Sequence, residues 1–155
     1  MLTTAEALEE VLAAMPELAA EAAEVSAATG RILRQTVVAE RDQPPFDRVM
    51  MDGIALAHAD LAAGAVSFPI QCTQMAGEPA THLEAGKAIE IMTGASLPKG
   101  ADCIVPVERI TVDGGVAVLE DGYVAEVRQF IHPRASDHAQ GSELLVPGKR
   151  ISPLD

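Results

Sequence analysis

The 155-residue chain has few aromatic residues, little positive charge and only two cysteines. It has no Trp, one Tyr and three Phe, so the 48% of residues that are hydrophobic predict an aliphatic core. Its 11 basic and 23 acidic side chains give a net charge of −12, which argues against partnership with nucleic acid or an anionic membrane surface. No apolar run approaches the roughly 20 residues of a membrane helix, and the amino terminus lacks a secretory signal. Cys72 and Cys103 have no C-x-x-C spacing and predict reduced thiols in a cytoplasmic protein.

The amino-terminal residues predict one amphipathic helix of about three turns. Thr3-x-x-Glu6 fits a capping box, and Pro16 ends the pattern. Between them, four apolar side chains recur at helical spacing: Leu8, Val11, Leu12 and Met15. Residues 17–28 are rich in Ala and Glu, which favours a second helix by propensity, but they lack an apolar stripe.

From Thr36 onward, short apolar or alternating runs with Gly, Pro or Asp between them predict a β-dominated region. The predicted strands are 36–39, 54–58, 66–73, 87–92, 103–107, 116–119, 123–127 and 143–146. Asp113-Gly-Gly, between two apolar runs, predicts a tight hairpin.

Two conformationally constrained segments carry the residues that could take part in catalysis or binding. Residues 44–53 hold two prolines together with Asp47, Asp52 and Gly53, and residues 91–102 place the hydroxyls of Thr93 and Ser96 around Gly94. Rigid loops with small polar groups can present donors to an anion. The structural alternatives are a plain Asp-Gly turn and a local hydrogen bond of the Thr93 hydroxyl. His132, His138 and Asp137 lie close in sequence, but a metal site would need a further ligand.

In order and spacing, these segments resemble the molybdopterin molybdenumtransferases, the MoeA and gephyrin E-domain family. Pro44-x-Phe-Asp-x-x-x-Met-Asp-Gly-x-Ala55 is similar to the family signature P-x-F-D-x-S-x-M-D-G-Y-A. The other matching motifs are Gly30-Arg-Ile-Leu33, Ala76-Gly-Glu-Pro79, Ala88-Ile-Glu-Ile-Met-Thr-Gly-Ala95, Leu97-Pro-x-Gly-Ala-Asp102 and Val105-x-x-Glu108.

The resemblance implies a mainly β fold with an N-terminal α-helix and coiled, bifurcated β-sheets in two subdomains. One subdomain would comprise residues 1–40 and 140–155, and a β-rich insertion would comprise residues 41–139. It also implies a short strand near residues 22–25 and a short helix through Leu33.

The implied activity is insertion of molybdenum, supplied as molybdate, into adenylylated molybdopterin, by a homodimer that uses Mg²⁺. By matching positions, the implied catalytic residues are Asp52, Thr93 and Asp137. Asp47, Gly53, Gly94 and Ser96 would bind the anionic pterin substrate, and no residue is assigned as a metal ligand. Family members continue into an α/β domain that completes the cleft from the partner subunit. This chain would therefore supply one wall of the cleft and be inactive alone. Because it ends before that domain, the resemblance favours a fragment of a longer protein.

The chain also departs from the family pattern. Four positions of the first signature differ: Arg48, Val49, Met50 and Ile54 stand where Asn, Ser, Ala and Tyr are usual. His132-Pro-Arg-Ala-Ser-Asp137 replaces an N-I-R-x-x-G-E-D run. These departures leave open a non-catalytic dimerisation or partner-binding module. A metal-dependent hydrolase using Asp47, Asp52, Asp137 and the two histidines is a third alternative.

Overall fold

The computed structural model describes residues 2–155. These residues form two units, one made of residues 2–37 and 143–155 and the other of residues 38–142. Strands predominate, with ten strands and two α-helices in the described part of the chain. The predicted class, mainly β with an N-terminal helix, is confirmed. None of the helices in residues 2–155 is both long and apolar enough to cross a bilayer.

The first helix, α1 (Thr4–Ala14), begins where the sequence predicts. Thr3 Oγ1 accepts a hydrogen bond from the Glu6 N–H, and the Glu6 carboxylate accepts one from the Thr3 N–H at 2.7 Å, so the capping box is complete. The helix ends before Pro16, whose ring would clash with the preceding turn. Within residues 2–155 nothing covers its apolar stripe, and the four side chains are 57–64% exposed: Leu8, Val11, Leu12 and Met15.

The predictions for residues 17–33 are wrong. A 3-10 helix, Val25–Ala27, stands in place of the helix that propensity favours and of the strand and helix that the resemblance implies. Residues 22–25 pair with no strand in the described chain, and the Ala27 N–H instead donates to Glu24 O, which bends the backbone. Leu33 is not helical because its N–H donates to Lys149 O at 2.8 Å.

The larger unit is built on a six-stranded sheet. Its order is β6-β3-β5-β4-β8-β7, and β4 pairs in parallel with β5 while the other neighbours are antiparallel. Strand β4 pairs with β8 through Ser67–Pro69 and with β5 from Ile70 onward, with a register shift between Ile70 and Cys72, so it joins two halves of a curled sheet. The strands are β3 (Gly53–Leu56), β4 (Ser67–Gln74), β5 (Ala88–Ile91), β6 (Cys103–Pro106), β7 (Ile110–Asp113) and β8 (Val116–Leu119).

Four short strands lie outside this sheet and form two separate two-stranded ribbons. Strand β2 (Arg48–Val49) pairs in antiparallel fashion with β9 (Ile131–His132), with Arg48 opposite His132. Strand β1 (Val37–Val38) pairs with β10 (Glu143–Leu145). The β2–β9 pair matters for function because it carries two of the polar side chains described below.

Two aliphatic cores cover opposite faces of the sheet, because successive strand residues point to opposite sides. One contains Ala55, Ile89, Ile91, Ile104 and Val49, and the other contains Ile54, Leu56, Phe68, Cys103 and Val105. The predicted aliphatic core is confirmed, with Phe68 as the only fully buried aromatic side chain in the described residues. Cys103 is buried as predicted, and Cys72 is half-buried.

Some strand predictions fail where turns and a helix intervene. The predicted strand at 123–127 is absent from the described structure, because turn hydrogen bonds from Tyr123 N–H to Glu120 O and from Gln129 N–H to Glu126 O engage its neighbours. The strand that begins at Gly53 ends at Leu56, and helix α2 (His58–Ala62) follows. The Asp113-Gly-Gly hairpin is confirmed as the β7–β8 connection.

Candidate functional site

Asp52 and Thr93 lie 41 residues apart in sequence and are in direct contact. The backbone N–H and the hydroxyl of Thr93 each donate a hydrogen bond of 2.7 Å to Asp52 Oδ1. Asp52 precedes β3 and Thr93 follows β5, and the antiparallel pairing of Gly53 with Ile91 brings the start of one strand to the end of the other. Both side chains are exposed. This arrangement, here called the Asp52–Thr93 contact, holds one carboxylate oxygen in place and leaves the other without a hydrogen-bond partner among residues 2–155.

The pKa of Asp52 lies below its ordinary value. The hydroxyl of Thr93 has the larger effect and its N–H the next, since both stabilise the charged carboxylate. Asp52 is therefore ionised at neutral pH. It can accept hydrogen bonds or bind a cation, but it is not a proton donor in the resting protein.

Two glycines allow the backbone to reach this geometry. A Cβ at Gly53 would lie 2.0 Å from Val105 O and 2.9 Å from Pro106 Cα, so only glycine fits between β3 and β6. Gly94 has a φ of +88°, in the left-handed region that favours glycine, and its N–H donates to Val49 O. The two glycines predicted as substrate-binding thus shape the backbone on either side of the Asp52–Thr93 contact.

Ser96 is anchored by Gln74, a residue that sequence reasoning missed. Gln74 is fully buried; its Nε2 donates to Ser96 O at 2.6 Å, and its Oε1 accepts from the Thr81 N–H at 2.7 Å. The Ser96 hydroxyl lies 3.4 Å from Glu78 O. Strand β4 contains two glutamines, Gln71 and Gln74, and its sequence gives no signal that Gln74 is the one that points inward, so only the structure reveals this anchor.

Asp47 occupies a different network from Asp52. Its carboxylate accepts from the Arg134 N–H at 2.8 Å and from the Arg128 guanidinium at 2.9 Å. Burial acts to raise the pKa of Asp47, but the bonds from Arg134 and Arg128 outweigh it and the pKa is lowered. Each carboxylate oxygen of Asp47 therefore binds a different part of the loop, and its contact with substrate stays a prediction.

Asp137 lies in a chain of polar contacts that begins on β2. His132 Nε2 is 2.8 Å from Asp137 Oδ1, and Arg48 Nη2 is 3.5 Å from His132 Nδ1. A guanidinium only donates, so the contact with Arg48 requires an unprotonated Nδ1, and in that tautomer Nε2–H donates to Asp137. Arg48 and His132 are both departures from the family signature, and the structure shows that the two contact each other.

The structure thus places the predicted residues in two groups within residues 38–142. Asp52, Gly53, Thr93 and Gly94 form one group, and Asp137 belongs to the other. Strand β2 connects them, since the Val49 N–H donates to Ala95 O on one side and the Met50 N–H donates to Phe130 O on the other. A continuous series of backbone hydrogen bonds therefore joins the three segments.

No three His, Cys, Asp or Glu side chains gather to enclose a metal ion in residues 2–155. His138 does not join His132 and Asp137; its backbone pairs with Gln43. The metal site of two histidines and an acid, and the metal-dependent hydrolase that would need it, are not formed by the described residues. A bound cation would take single ligands from this chain, and the unengaged oxygen of Asp52 is one such ligand.

A pocket of about 210 Å³ adjoins the Asp52–Thr93 contact. Two carboxylates, Asp52 and Glu90, line it, and Glu90 accepts a 2.6 Å hydrogen bond from the Thr73 hydroxyl. The rest of its side-chain lining is apolar: Ile54, Ile70, Met92, Val107, Ile110 and Val112. Sequence reasoning missed Glu90, although an acid between two isoleucines in a predicted strand is unusual.

Comparison with known proteins points to one family. Residues 2–155 match the family described as the MoeA N-terminal region (domain I and II). The chain is 33% identical over 153 residues to the molybdopterin molybdenumtransferase of Synechocystis sp., covering 98% of this chain and 39% of that protein. It is 34% identical over 162 residues to the molybdopterin molybdenumtransferase of Synechococcus elongatus, covering 99% and 40%.

A solved structure agrees with the sequence matches. The molybdopterin biosynthesis MoeA protein of Pyrococcus horikoshii OT3 superposes with a TM-score of 0.72 and 31% identity, covering 83% of this chain and 35% of that one. The chain spans about two-fifths of the length of the Synechocystis and Synechococcus relatives. On its sequence and its fold, the chain belongs to the MoeA N-terminal region family.

Proposed function

We propose that the gene product carrying this chain is a molybdopterin molybdenumtransferase that inserts molybdenum from molybdate into adenylylated molybdopterin and releases AMP. This chain supplies one wall of a cleft that lies between the subunits of a homodimer. The relatives that match nearly the whole chain carry the name of this activity. The observation that carries the proposal is the Asp52–Thr93 contact, which joins two of the three residues assigned to catalysis.

In this proposal Asp52 acts as a fixed anionic acceptor. Thr93 immobilises Oδ1 and lowers the pKa, so Oδ2 is charged and held in one direction. Such an oxygen can orient a donor group of the substrate or ligate a cation, and fixed positioning of this kind lowers the barrier for group transfer. Asp137, oriented by His132, is the second acceptor on the same wall.

The acidic charge of the chain sets a requirement on the opposite wall. Molybdate and the pterin phosphate are anions, and a chain with a net charge of −12 does not attract them by itself. Positive groups must come from other parts of the protein or from Mg²⁺, which keeps several waters and binds through one or two carboxylates. Asp52 Oδ2 fits the role of such a ligand, and bound Mg²⁺ would neutralise phosphate charge.

The exposed apolar stripe of α1 is compatible both with the enzyme and with the alternative of a non-catalytic association module. The apolar stripe of α1 is exposed, which is typical of a face that another polypeptide covers. A dimerising enzyme would use such a face as well, so the stripe supports the homodimer in either case. Light scattering of the gene product would give twice the monomer mass, and a Leu8→Ser, Leu12→Ser variant would shift it toward the monomer.

The proposed activity is tested by complementation of a bacterial strain that lacks its own molybdopterin molybdenumtransferase. The gene product should restore nitrate reductase activity, which depends on the molybdenum cofactor. Asp52→Asn should lower the restored activity about 100-fold, as loss of a fixed charged group at a reacting centre does. Asp121→Asn is the matched control, because Asp121 is exposed and makes no side-chain hydrogen bond or ion pair in residues 2–155. A gene product that accumulates in folded form but restores nothing would contradict the proposal and favour the module.

A further inference from the structure

The segment that carries Asp137, residues 128–138, has a backbone conformation that its own residues do not favour. Arg128, Phe130 and Ala135 have φ values of +63°, +55° and +60°, in the left-handed region that favours glycine. For a residue with a side chain this conformation costs free energy, because Cβ comes too close to a carbonyl oxygen. Several such residues in one short stretch persist only where the surrounding structure holds them. This stretch is here called the Asp137 segment.

The backbone of the Asp137 segment is bonded to the rest of the unit at two places. At one end the segment forms β9, which pairs with β2. At the other end the Asp137 N–H donates to Gln43 O at 2.9 Å. Between these places the Arg134 N–H has no backbone acceptor among residues 2–155. A side chain has to supply that acceptor, because backbone polar groups are rarely left unpaired in a folded protein.

Asp47 supplies this acceptor and a second attachment as well. Its Oδ1 accepts from the Arg134 N–H at 2.8 Å, and its Oδ2 accepts from the Arg128 guanidinium at 2.9 Å. One donor precedes β9 (Ile131–His132) and the other follows it, so a single carboxylate holds the chain on both sides of the strand. Hydrogen bonds to an ionised acceptor are stronger than those between neutral groups, so this attachment can offset the cost of the left-handed residues.

The backbone of Asp47 contacts the other half of the site. Its carbonyl oxygen accepts from the Leu97 N–H at 2.8 Å, and Leu97 lies in the loop after β5 that also carries Thr93. Asp47 is therefore bonded through its backbone to the loop of Thr93 and through its side chain to the Asp137 segment. No other carboxylate in residues 2–155 hydrogen-bonds to both sides of β9.

We propose that Asp47 is a positioning residue, which fixes Asp137 relative to the Asp52–Thr93 contact through its two bonds to the Asp137 segment. It acts without touching substrate, which differs from the substrate contact that the family resemblance implies for it. The effect of Asp47 on the reaction rests on the proposed function, in which Asp137 is an acceptor on the cleft wall. Its effect on the conformation of the Asp137 segment does not.

Amide hydrogen exchange of the full-length gene product, followed by NMR, tests the conformational part. Asp47→Asn keeps the shape of the side chain but removes its charge, and should make the Asp137 amide exchange about tenfold faster, since it weakens a hydrogen bond to a charged group. Arg128→Met keeps the alkyl stem and should have the same effect. The double variant should add little to either, because both changes break the same ion pair. The matched control is Glu120→Gln, which removes an ion pair of 2.7 Å outside the site and should leave this amide unchanged.

The rate of AMP release by the purified gene product, supplied with adenylylated molybdopterin and molybdate, tests the catalytic part. Asp47→Asn and Arg128→Met should each lower kcat about tenfold and leave KM unchanged, because a displaced acceptor slows the reacting step without removing a contact to bound substrate. Arg128→Lys, which keeps a cation for Asp47, should retain most of the wild-type rate. Glu120→Gln should retain all of it.

Unchanged exchange of the Asp137 amide in both variants would overturn the proposal. A raised KM in Asp47→Asn, with Arg128→Met equal to wild type, would also overturn it, because that pattern identifies a residue in contact with substrate. Faster exchange with an unchanged kcat would refute the positioning role. An inactive wild-type gene product would contradict the proposed function instead, and the exchange rates would still decide whether Asp47 holds the Asp137 segment.

Discussion

Gly53→Ala probes the backbone that positions Asp52. The added Cβ would lie 2.0 Å from Val105 O, about 1.5 Å closer than the ~3.5 Å at which non-bonded heavy atoms pack well. The atoms it meets belong to the backbone of β6, which is hydrogen-bonded to β3 with Gly53 opposite Pro106. A side-chain rotation cannot relieve the clash, so β3 and β6 must move apart.

Beyond the backbone penalty of a positive φ, which Gly53 (+156°) shares with Gly64 (+93°), the expected cost combines two contributions. Overpacking a well-packed site costs about 1–3 kcal/mol, and a weakened ladder hydrogen bond adds about 1 kcal/mol. A total of about 3 kcal/mol corresponds to a fall in melting temperature of about 6–12 °C for a domain of this size. The same displacement separates Asp52 from Thr93, so the pKa of Asp52 should rise toward its ordinary value.

Differential scanning calorimetry of the gene product measures this change, with Gly64→Ala as the control. Gly64 also has a positive φ, of +93°, but an added Cβ there has nothing within 4 Å. Gly64→Ala should therefore cost only the backbone penalty of about 1–2 kcal/mol. If Gly53→Ala lowers the melting temperature no more than Gly64→Ala, the close approach of β3 and β6 is not what requires glycine.

Three further predictions address the anchors of the site and the core. Gln74→Ala should destabilise the protein by about 2–5 kcal/mol in urea unfolding, because it leaves the half-buried Thr81 N–H and Ser96 O without their Gln74 partner; an equal loss in exposed Gln140→Ala would contradict this. Thr93→Val should raise the pKa of Asp52 in a carbon-detected NMR titration. Since the folded pKa is lowered, the stability that the Thr93 hydroxyl provides is present above the ordinary value of 3.8 and should vanish as the pH falls through the lowered pKa; a pH-independent difference would refute this. Burial, and next the charge of Asp102, raise the pKa of Cys103 to about 11, so at pH 8 a thiol reagent should label Cys72 first and Cys103 only on unfolding.

The sequence predicts structure correctly where the stabilising interaction joins residues that are close in sequence. Thr3 and Glu6 are three residues apart, so the capping box could be predicted and is confirmed. The Asp113-Gly-Gly hairpin is confirmed for the same reason, because both glycines adopt positive φ within one tight turn.

Non-local pairing explains the failures. Strands β2 and β9 have two residues each and pair across more than 80 positions, so neither has a recognisable pattern. Residues 123–127 have the composition of a strand, but they pair with no strand of the described chain and turns form instead. The alternating pattern predicts a strand through His58, whereas its N–H donates to Asp102 Oδ1 at the start of α2, a contact 44 residues away.

In the candidate site, too, sequence motifs could be predicted but contacts between distant residues could not. Asp52 and Thr93 could be named because their motifs resemble those of a known family, yet their contact depends on the register of β3 and β5. Gln74 and Glu90 could not be predicted, because their roles depend on the face of the sheet toward which β4 and β5 direct their side chains. In the sequence Arg48 and His132 are only departures from the signature, and it is the register of β2 and β9 that places them together.

The proposed function depends most on the Asp52 carboxylate, held by Thr93, taking part in molybdenum insertion. The most direct measurement is the molar ratio of molybdenum to molybdopterin in a host strain that lacks its own molybdenumtransferase and expresses this gene product. Asp52→Asn should leave the amount of pterin unchanged and reduce its molybdenum content to that of the deletion strain, while Asp121→Asn retains full loading. Pterin fully loaded with molybdenum in the Asp52→Asn strain would show that this carboxylate has no part in the reaction.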